Sequence, residues 1–305
     1  MAKETQNLTI GQILDGEVAE RVRRLEIFSR LRVEGSRAGD NRSPFRGFST
    51  DYLQHRQYSQ GDSLRFLDWR VLAKTDRLYV KQFEQHTNAE MVVAVDVSGS
   101  MRFRGQEAFS KYEFAVRTAA ILFYLMNLQR DTSSLFLFSE SLTTRVPRGS
   151  SRQHLQRVLA TLAMAEPAGG TRFELCFRLL ESMLSRRGLI VVLSDFMDEP
   201  DTVAKALGRF RMQRHDVIAL QIVAPSEERL PFVDFTRFRD LEDASVVGLD
   251  PLLVSREYER QFAEHGRLLR EACLTQRVDH ATLPVCDEYD VPVGEYLRRR
   301  QALLE

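Results

Sequence analysis

Asp96, Ser98 and Ser100 occupy alternate positions in the run Asp96-Val97-Ser98-Gly99-Ser100, and Asp195 follows a serine in Ser194-Asp195. Between the two lies Gly169-Gly170-Thr171. Two carboxylates (Asp96, Asp195) and three hydroxyls (Ser98, Ser100, Thr171) form an all-oxygen donor set. Such a set suits a hard divalent cation, Mg²⁺ or Mn²⁺. Hydroxyls are weak donors and Mg²⁺ keeps several waters, so the ion would still want one more anionic ligand. A Glu or Asp from a partner protein would fill that position. Singly, each residue has a plainer explanation, since Asp or Ser after a strand is commonly a helix N-cap or a turn former. The combination points to metal.

The set works only if separate elements bring it together. Met91–Val95 is an apolar run closed by Asp96, and Leu189–Leu193 is a β-branched run closed by Ser194-Asp195. Apolar strands alternating with helices imply a parallel sheet covered on both faces. In open α/β sheets ligands bind beyond the carboxyl ends of strands, where the strand order reverses. After Asn88 the pattern predicts a helix over 107–129, a strand at Leu135–Phe138 and a shorter strand at Ser141–Val146 fit for an antiparallel edge. Helices follow around Leu155–Leu162 and Phe173–Leu184, with a further helix at 201–213 after the Leu189–Leu193 strand. A strand at Val217–Val223, a short-strand region at 229–249, a helix at 256–275, a strand at Val278–Leu283 and a helix at Val291–Leu304 complete the order. The expected fold class is α/β, a doubly wound, mostly parallel sheet formed by residues 88–305. Residues 1–87 are expected as an extension packed on it, with helical spacing over 12–33, a Gly/Ser/Arg-rich loop at 35–50 and a small β excursion between Phe48 and Phe83.

Composition narrows the classes. The 305 residues carry 43 Lys+Arg against 43 Asp+Glu, without the basic excess of a dedicated nucleic-acid binder. Locally, Arg21–His86 holds 14 Lys and Arg against 8 Asp and Glu, either a solvated face or a surface for an acidic partner. The longest apolar runs, Ala119–Met126 and Leu189–Leu193, fall far short of the roughly 20 residues a membrane span needs. The N-terminus lacks a signal-peptide pattern, and Cys176, Cys273 and Cys286 show no CxxC spacing. The expectation is a cytoplasmic, reduced protein.

Asp96-x-Ser98-x-Ser100 with Thr171 and Asp195 resembles the metal-ion-dependent adhesion site of von Willebrand factor A domains. That resemblance implies a strand order of 3-2-1-4-5-6, with the ion between the first and fourth strands. It also implies that Ser98 and Ser100 bind metal through their hydroxyls, Thr171 joins in the ligand-engaged state, and Asp96 and Asp195 act directly or through water. The lead-in carries a more diagnostic likeness: Gly47-Phe48-Ser49, Arg56-Gln57-Tyr58-Ser59-Gln60-Gly61-Asp62, Asp68-Trp69 and Tyr79-Val80-Lys81-Gln82-Phe83. With the ending Glu295-Tyr296-Leu297 and its arginines, it resembles the DUF58 family, which pairs such a lead-in with a von Willebrand A-like domain. The resemblance implies an adaptor for a MoxR-type AAA+ ATPase, or its client, in chaperone-like work. One departure is Met101–Ser110, longer and more basic than a tight loop exit, which would reshape the rim or partly cover the ion. For Arg56, Asp62, Asp68 and Trp69 the structural expectation is a buried ion pair with an aromatic anchor; the functional one is partner contact.

Enzyme readings are weaker. A haloacid-dehalogenase-like hydrolase needs a second Asp two residues after the first, where Ser98 stands. No G-x-S-x-G, P-loop or H-E-x-x-H motif occurs, and the six histidines are scattered. The rival that remains is a metal-assisted phosphoester hydrolase using Asp96. A scaffold with a vestigial metal site is a third, weaker possibility.

Overall fold

The computed structural model describes residues 15–23, 25, 52–59, 67–75, 77–83, 90–184, 186–229, 236–242 and 245–302. The chain divides into two compact units, residues 32–88 and a larger unit of residues 1–31 with 89–305. The first helix, α1 (Gly16–Val22), therefore belongs to the larger unit and not to the lead-in. Its Val18 and Val22 are buried, and Arg21 forks onto Asp290 with two bonds of 2.8 Å. The rest of the helix expected over 12–33, and the loop at 35–50, lie outside the described residues.

The smaller unit contains the expected β excursion. Strand β1 (Tyr52–Gln57) pairs antiparallel with β2 (Tyr79–Phe83), and the short helix α2 (Trp69–Thr75) lies between them in sequence. Asp68 is buried and caps α2, its Oδ1 accepting the N–H of Arg70 at 3.0 Å and of Val71 at 3.3 Å. The expected aromatic anchor is not found, because Trp69 opens this short helix and is 64% exposed. Asp62 and the Arg56 side chain lie outside the described residues.

In the larger unit the order is β3 (Glu90–Asp96), α3 (Lys111–Leu128), β4 (Thr132–Phe138), β5 (Leu142–Gly149), α4 (Arg152–Met164) and α5 (Phe173–Met183). Then come β6 (Leu189–Ser194), α6 (Pro200–Met212), β7 (Asp216–Val223) and the single turn α7 (Pro225–Glu228). A hairpin of β8 (Thr236–Arg239) and β9 (Val246–Leu249) follows, then α8 (Pro251–Thr275), β10 (Asp279–Pro284) and α9 (Asp290–Ala302). The six-stranded sheet runs β10-β7-β6-β3-β4-β5. Numbered within this sheet alone, that is the order 3-2-1-4-5-6, and every pairing is parallel except that of β4 with β5. The short strand expected as an antiparallel edge is β5, which carries exposed Arg145, Pro147 and Arg148.

Alternation along the strands sorts the core into two layers. Val93, Val95, Leu135, Leu137, Val191 and Leu193 face α1, α3, α4 and α9. Val92, Ala94, Phe136, Phe138, Ile190 and Val192 face α5, α6 and α8, where Phe173 and Phe177 stack at 4.2 Å. Both faces are sealed, which is why the strands read as continuous apolar runs. The helix α9 closes the far end: buried Arg300 binds Asp216 and Asp279, the first residues of β7 and β10, and Tyr296 donates to Asp279 at 3.0 Å.

The start of α3 is set by a capping box, with Ser110 Oγ accepting the Glu113 N–H at 3.1 Å and Glu113 accepting the Ser110 N–H at 2.8 Å. Ser110→Ala is expected to cost about 1 kcal/mol in urea unfolding, since the helix carries a central part of the core. An unchanged midpoint would show that the cap is not felt.

Candidate metal centre

Three loops meet at the C-terminal ends of β3 and β6, where the chain's path across the sheet reverses. Asp96 ends β3, and the chain turns into a 3₁₀ turn at Gly99–Arg102. Gly99 N–H donates to the Gly169 carbonyl at 2.7 Å, and Ala168 N–H to the Val97 carbonyl at 2.8 Å. These bonds set the Thr171 loop against the Ser98–Ser100 loop. Gly169 has φ of 71°, a conformation that favours glycine. Phe196, just past Asp195, holds φ of 52° with its ring buried, a strained position of the kind that collects at functional sites.

Asp96, Ser98 and Asp195 are buried, while Ser100 and Thr171 are half-buried. Asp96 Oδ1 accepts the Ser98 N–H at 2.8 Å and Oδ2 accepts the Ser194 hydroxyl at 2.6 Å. The Ser98 and Ser100 hydroxyls are 3.0 Å apart. Burial, then the charge of Asp195, pushes the Asp96 carboxyl up to about 7, against the hydrogen bonds from Ser194 and Ser98. A buried carboxylate in that condition is short of positive charge. With both oxygens engaged it is also a poor nucleophile, which weakens the hydrolase alternative.

The spacing argument missed four participants. Lys111, the first residue of α3 and 1% exposed, donates to Asp195 Oδ2 at 2.7 Å and to Glu227 Oε1 at 2.6 Å. Burial works to lower its pKa, but the two carboxylates hold it above the ordinary lysine value. Burial raises the Glu227 carboxyl despite Lys111. Glu227 lies just beyond β7, so the rule that functional groups gather at strand ends could have found it; nothing in the sequence marks Lys111 out among helix residues. Ser194 was visible beside Asp195 but lacked a role. The fourth, Glu242, follows β8, and burial and then the charge of Asp195 raise its carboxyl.

The Met101–Ser110 segment is tied to the turn that carries Glu227. Its Glu107 accepts the Ser226 N–H and hydroxyl, each at 2.7 Å, fastening it to α7. Cys176 has its thiol pushed up to about 11 by burial and by the charge of Asp96, and donates to the Ser139 carbonyl at 3.2 Å, as an inert core thiol.

Among the described residues no group of three or more His, Cys, Asp or Glu is arranged to hold a metal ion. The candidate set instead relies on hydroxyls, and its charge count fits a divalent cation. Asp195 and Glu227 share a single ammonium, Lys111, and Asp96 is in contact with no described cation, leaving two negative charges unbalanced when all three are ionised. Uncompensated buried charge is costly, so the residues present fit a hard divalent ion.

A family model described as a protein of unknown function, DUF58, matches residues 54–268. The chain belongs to the DUF58 family. Uncharacterized proteins of Mycobacterium tuberculosis and Mycobacterium bovis are each 30% identical to this DUF58 protein over 260 residues, 84% of this chain and 81% of theirs. Among solved structures, an aerotolerance-related membrane protein from Bacteroides fragilis matches 69% of this chain and 97% of its own, with a TM-score of 0.50 at 16% identity. That likeness concerns the fold alone. Among the described residues of the DUF58 protein no helix is long and apolar enough to cross a membrane.

Proposed function

We propose that this DUF58 protein is a metal-dependent interaction module of the von Willebrand A type, working in the cytoplasm as an adaptor for a MoxR-type AAA+ ATPase. In that role it would assist the assembly or maturation of client proteins. The Ser98 and Ser100 hydroxyls with Asp96 and Asp195 would hold Mg²⁺ or Mn²⁺, and Thr171 would join them with a partner engaged. The bound ion supplies a Lewis-acidic position for a partner carboxylate. The chain's own residues orient and balance it: Ser194 and the Ser98 N–H aim Asp96, and Lys111 holds Asp195. The basic excess over residues 21–86 favours an acidic partner.

The observation that carries the reading is a buried Asp96 carboxylate beside paired serine hydroxyls at the strand switch point, with no cation in contact among the described side chains. Calorimetry with Mg²⁺ and Mn²⁺ tests it. Ser98→Ala combined with Ser100→Ala is expected to weaken metal binding by about tenfold or more while circular dichroism stays native. Addition of a purified MoxR-type ATPase is expected to tighten metal binding to the unaltered protein. Equal metal affinity in the double variant would remove the site assignment.

A further inference from the structure

The mouth of this centre is touched by the β8–β9 hairpin. A Cβ built on Gly99, between the two site serines, would come to 2.3 Å from the Leu241 carbonyl oxygen and 3.2 Å from Glu242 Cα. A Cβ built on Gly170, next to Thr171, would come to 3.2 Å from Glu242 Oε2. Backbone and carboxylate of the same residue pair thus press on both loops that carry the site hydroxyls, at positions where only hydrogen replaces a side chain. We propose that Glu242 is an intramolecular carboxylate ligand of the centre, standing where a partner's Glu or Asp would bind and competing with it. This rests on the metal-centre reading above and goes beyond it, because the protein then arrives at its partner with its own acidic residue already in place.

Two further observations favour an exchangeable ligand. The nearby Glu140 carboxylate is engaged by the Gly170 N–H at 3.4 Å, whereas Glu242 Oε2 stands 3.2 Å from a Cβ built on Gly170. The hairpin that presents Glu242 is lightly held. It is a separate two-stranded sheet, with Leu241, Val246 and Val247 43%, 57% and 56% exposed. Isolated two-stranded hairpins are marginal, and segments with few buried contacts open at low free-energy cost. A carboxylate tethered this way has an effective concentration in the millimolar range, enough to screen out weak free carboxylates but not a partner with a second point of contact.

Hydrogen exchange with the full chain provides the test. Mg²⁺ is expected to slow amide exchange over residues 236–249 by about tenfold in the unaltered protein, and Glu242→Gln is expected to abolish that slowing. The variant should still bind Mn²⁺, about tenfold more weakly, with one more bound water by proton relaxation. Acetate, the simplest free carboxylate, should displace that water at about tenfold lower concentration than in the unaltered protein. Gly99→Ala changes no donor atom but pushes on the Leu241 carbonyl, and is expected to abolish the slowing likewise. Slowing and Mn²⁺ affinity that survive Glu242→Gln, with binding still lost in Asp96→Asn, would overturn the proposal and leave the metal centre standing. Absence of Mg²⁺ and Mn²⁺ binding to the unaltered chain would overturn both.

Discussion

Lys111→Met is expected to lower the unfolding free energy by about 3 to 5 kcal/mol at neutral pH, since breaking a buried ion pair leaves uncompensated charge behind. Here two carboxylates lose their common partner: Asp195 at 2.7 Å and Glu227 at 2.6 Å. Methionine keeps most of the lysine stem's volume, so the loss reports charge and not a cavity. The deficit should shrink as the solution is acidified, because Glu227, whose carboxyl burial already raises, takes up a proton more readily without its cation and so offsets the missing ammonium. Metal affinity should move the other way. Removing the ammonium leaves three facing carboxylates with no positive charge, so Mg²⁺ binding should strengthen while the metal-free fold weakens. Urea unfolding with and without Mg²⁺ separates these signs; a loss below about 1 kcal/mol would mean that the triad is solvated like a surface pair.

The second large effect belongs to Asp96. Its carboxyl is raised in the native state to about 7 from the ordinary Asp value of about 4. Between those values the native protein holds a proton that the unfolded chain has released, so the metal-free fold loses stability as pH rises through the interval. Three units correspond to about 4 kcal/mol. The contribution is fully present below about pH 4 and gone above about pH 7. Asp96→Asn, neutral throughout, should remove this slope and be the more stable protein at pH 8 without metal. With Mg²⁺ the ranking should reverse, because the carboxylate form gains binding energy that the amide cannot match. Thermal midpoints from pH 4 to 8, with and without Mg²⁺, would show the crossing. Parallel profiles for the two proteins would place the pH dependence elsewhere.

Much of this architecture was legible because the physics is local. Strands buried on both faces must be apolar throughout, so Met91–Val95 and Leu189–Leu193 announced themselves, and the residues ending them fell at the sheet's carboxyl edge. The antiparallel edge was legible from the short, polar-flanked run that became β5. What stayed hidden depends on tertiary placement. Lys111 stands at a helix start, where a lysine is ordinarily solvated, and only the approach of β6 and α7 makes it a buried ion-pair centre. Glu242 lies in a short, polar stretch without periodicity, and only the seating of Leu241 on Gly99 brings it against the loops that carry Ser100 and Thr171. Trp69 misled in the opposite direction: a lone tryptophan suggests burial, yet a two-turn helix has too little surface to cover it.

The outermost strands of the main sheet bear on how a partner can attach. On β5, Pro147 removes one main-chain donor, and exposed Arg145 and Arg148 place charge along the same border. The opposite border strand, β10, ends at Pro284. An incoming extended peptide would therefore find a ladder interrupted at Pro147 on the β5 side. Recruitment by strand addition is disfavoured at the β5 border, as is edge-to-edge pairing of one copy's β5 with another's. Recognition is left to side-chain chemistry at the strand ends, where selectivity depends on which acidic group a partner presents and not on the backbone that every partner shares.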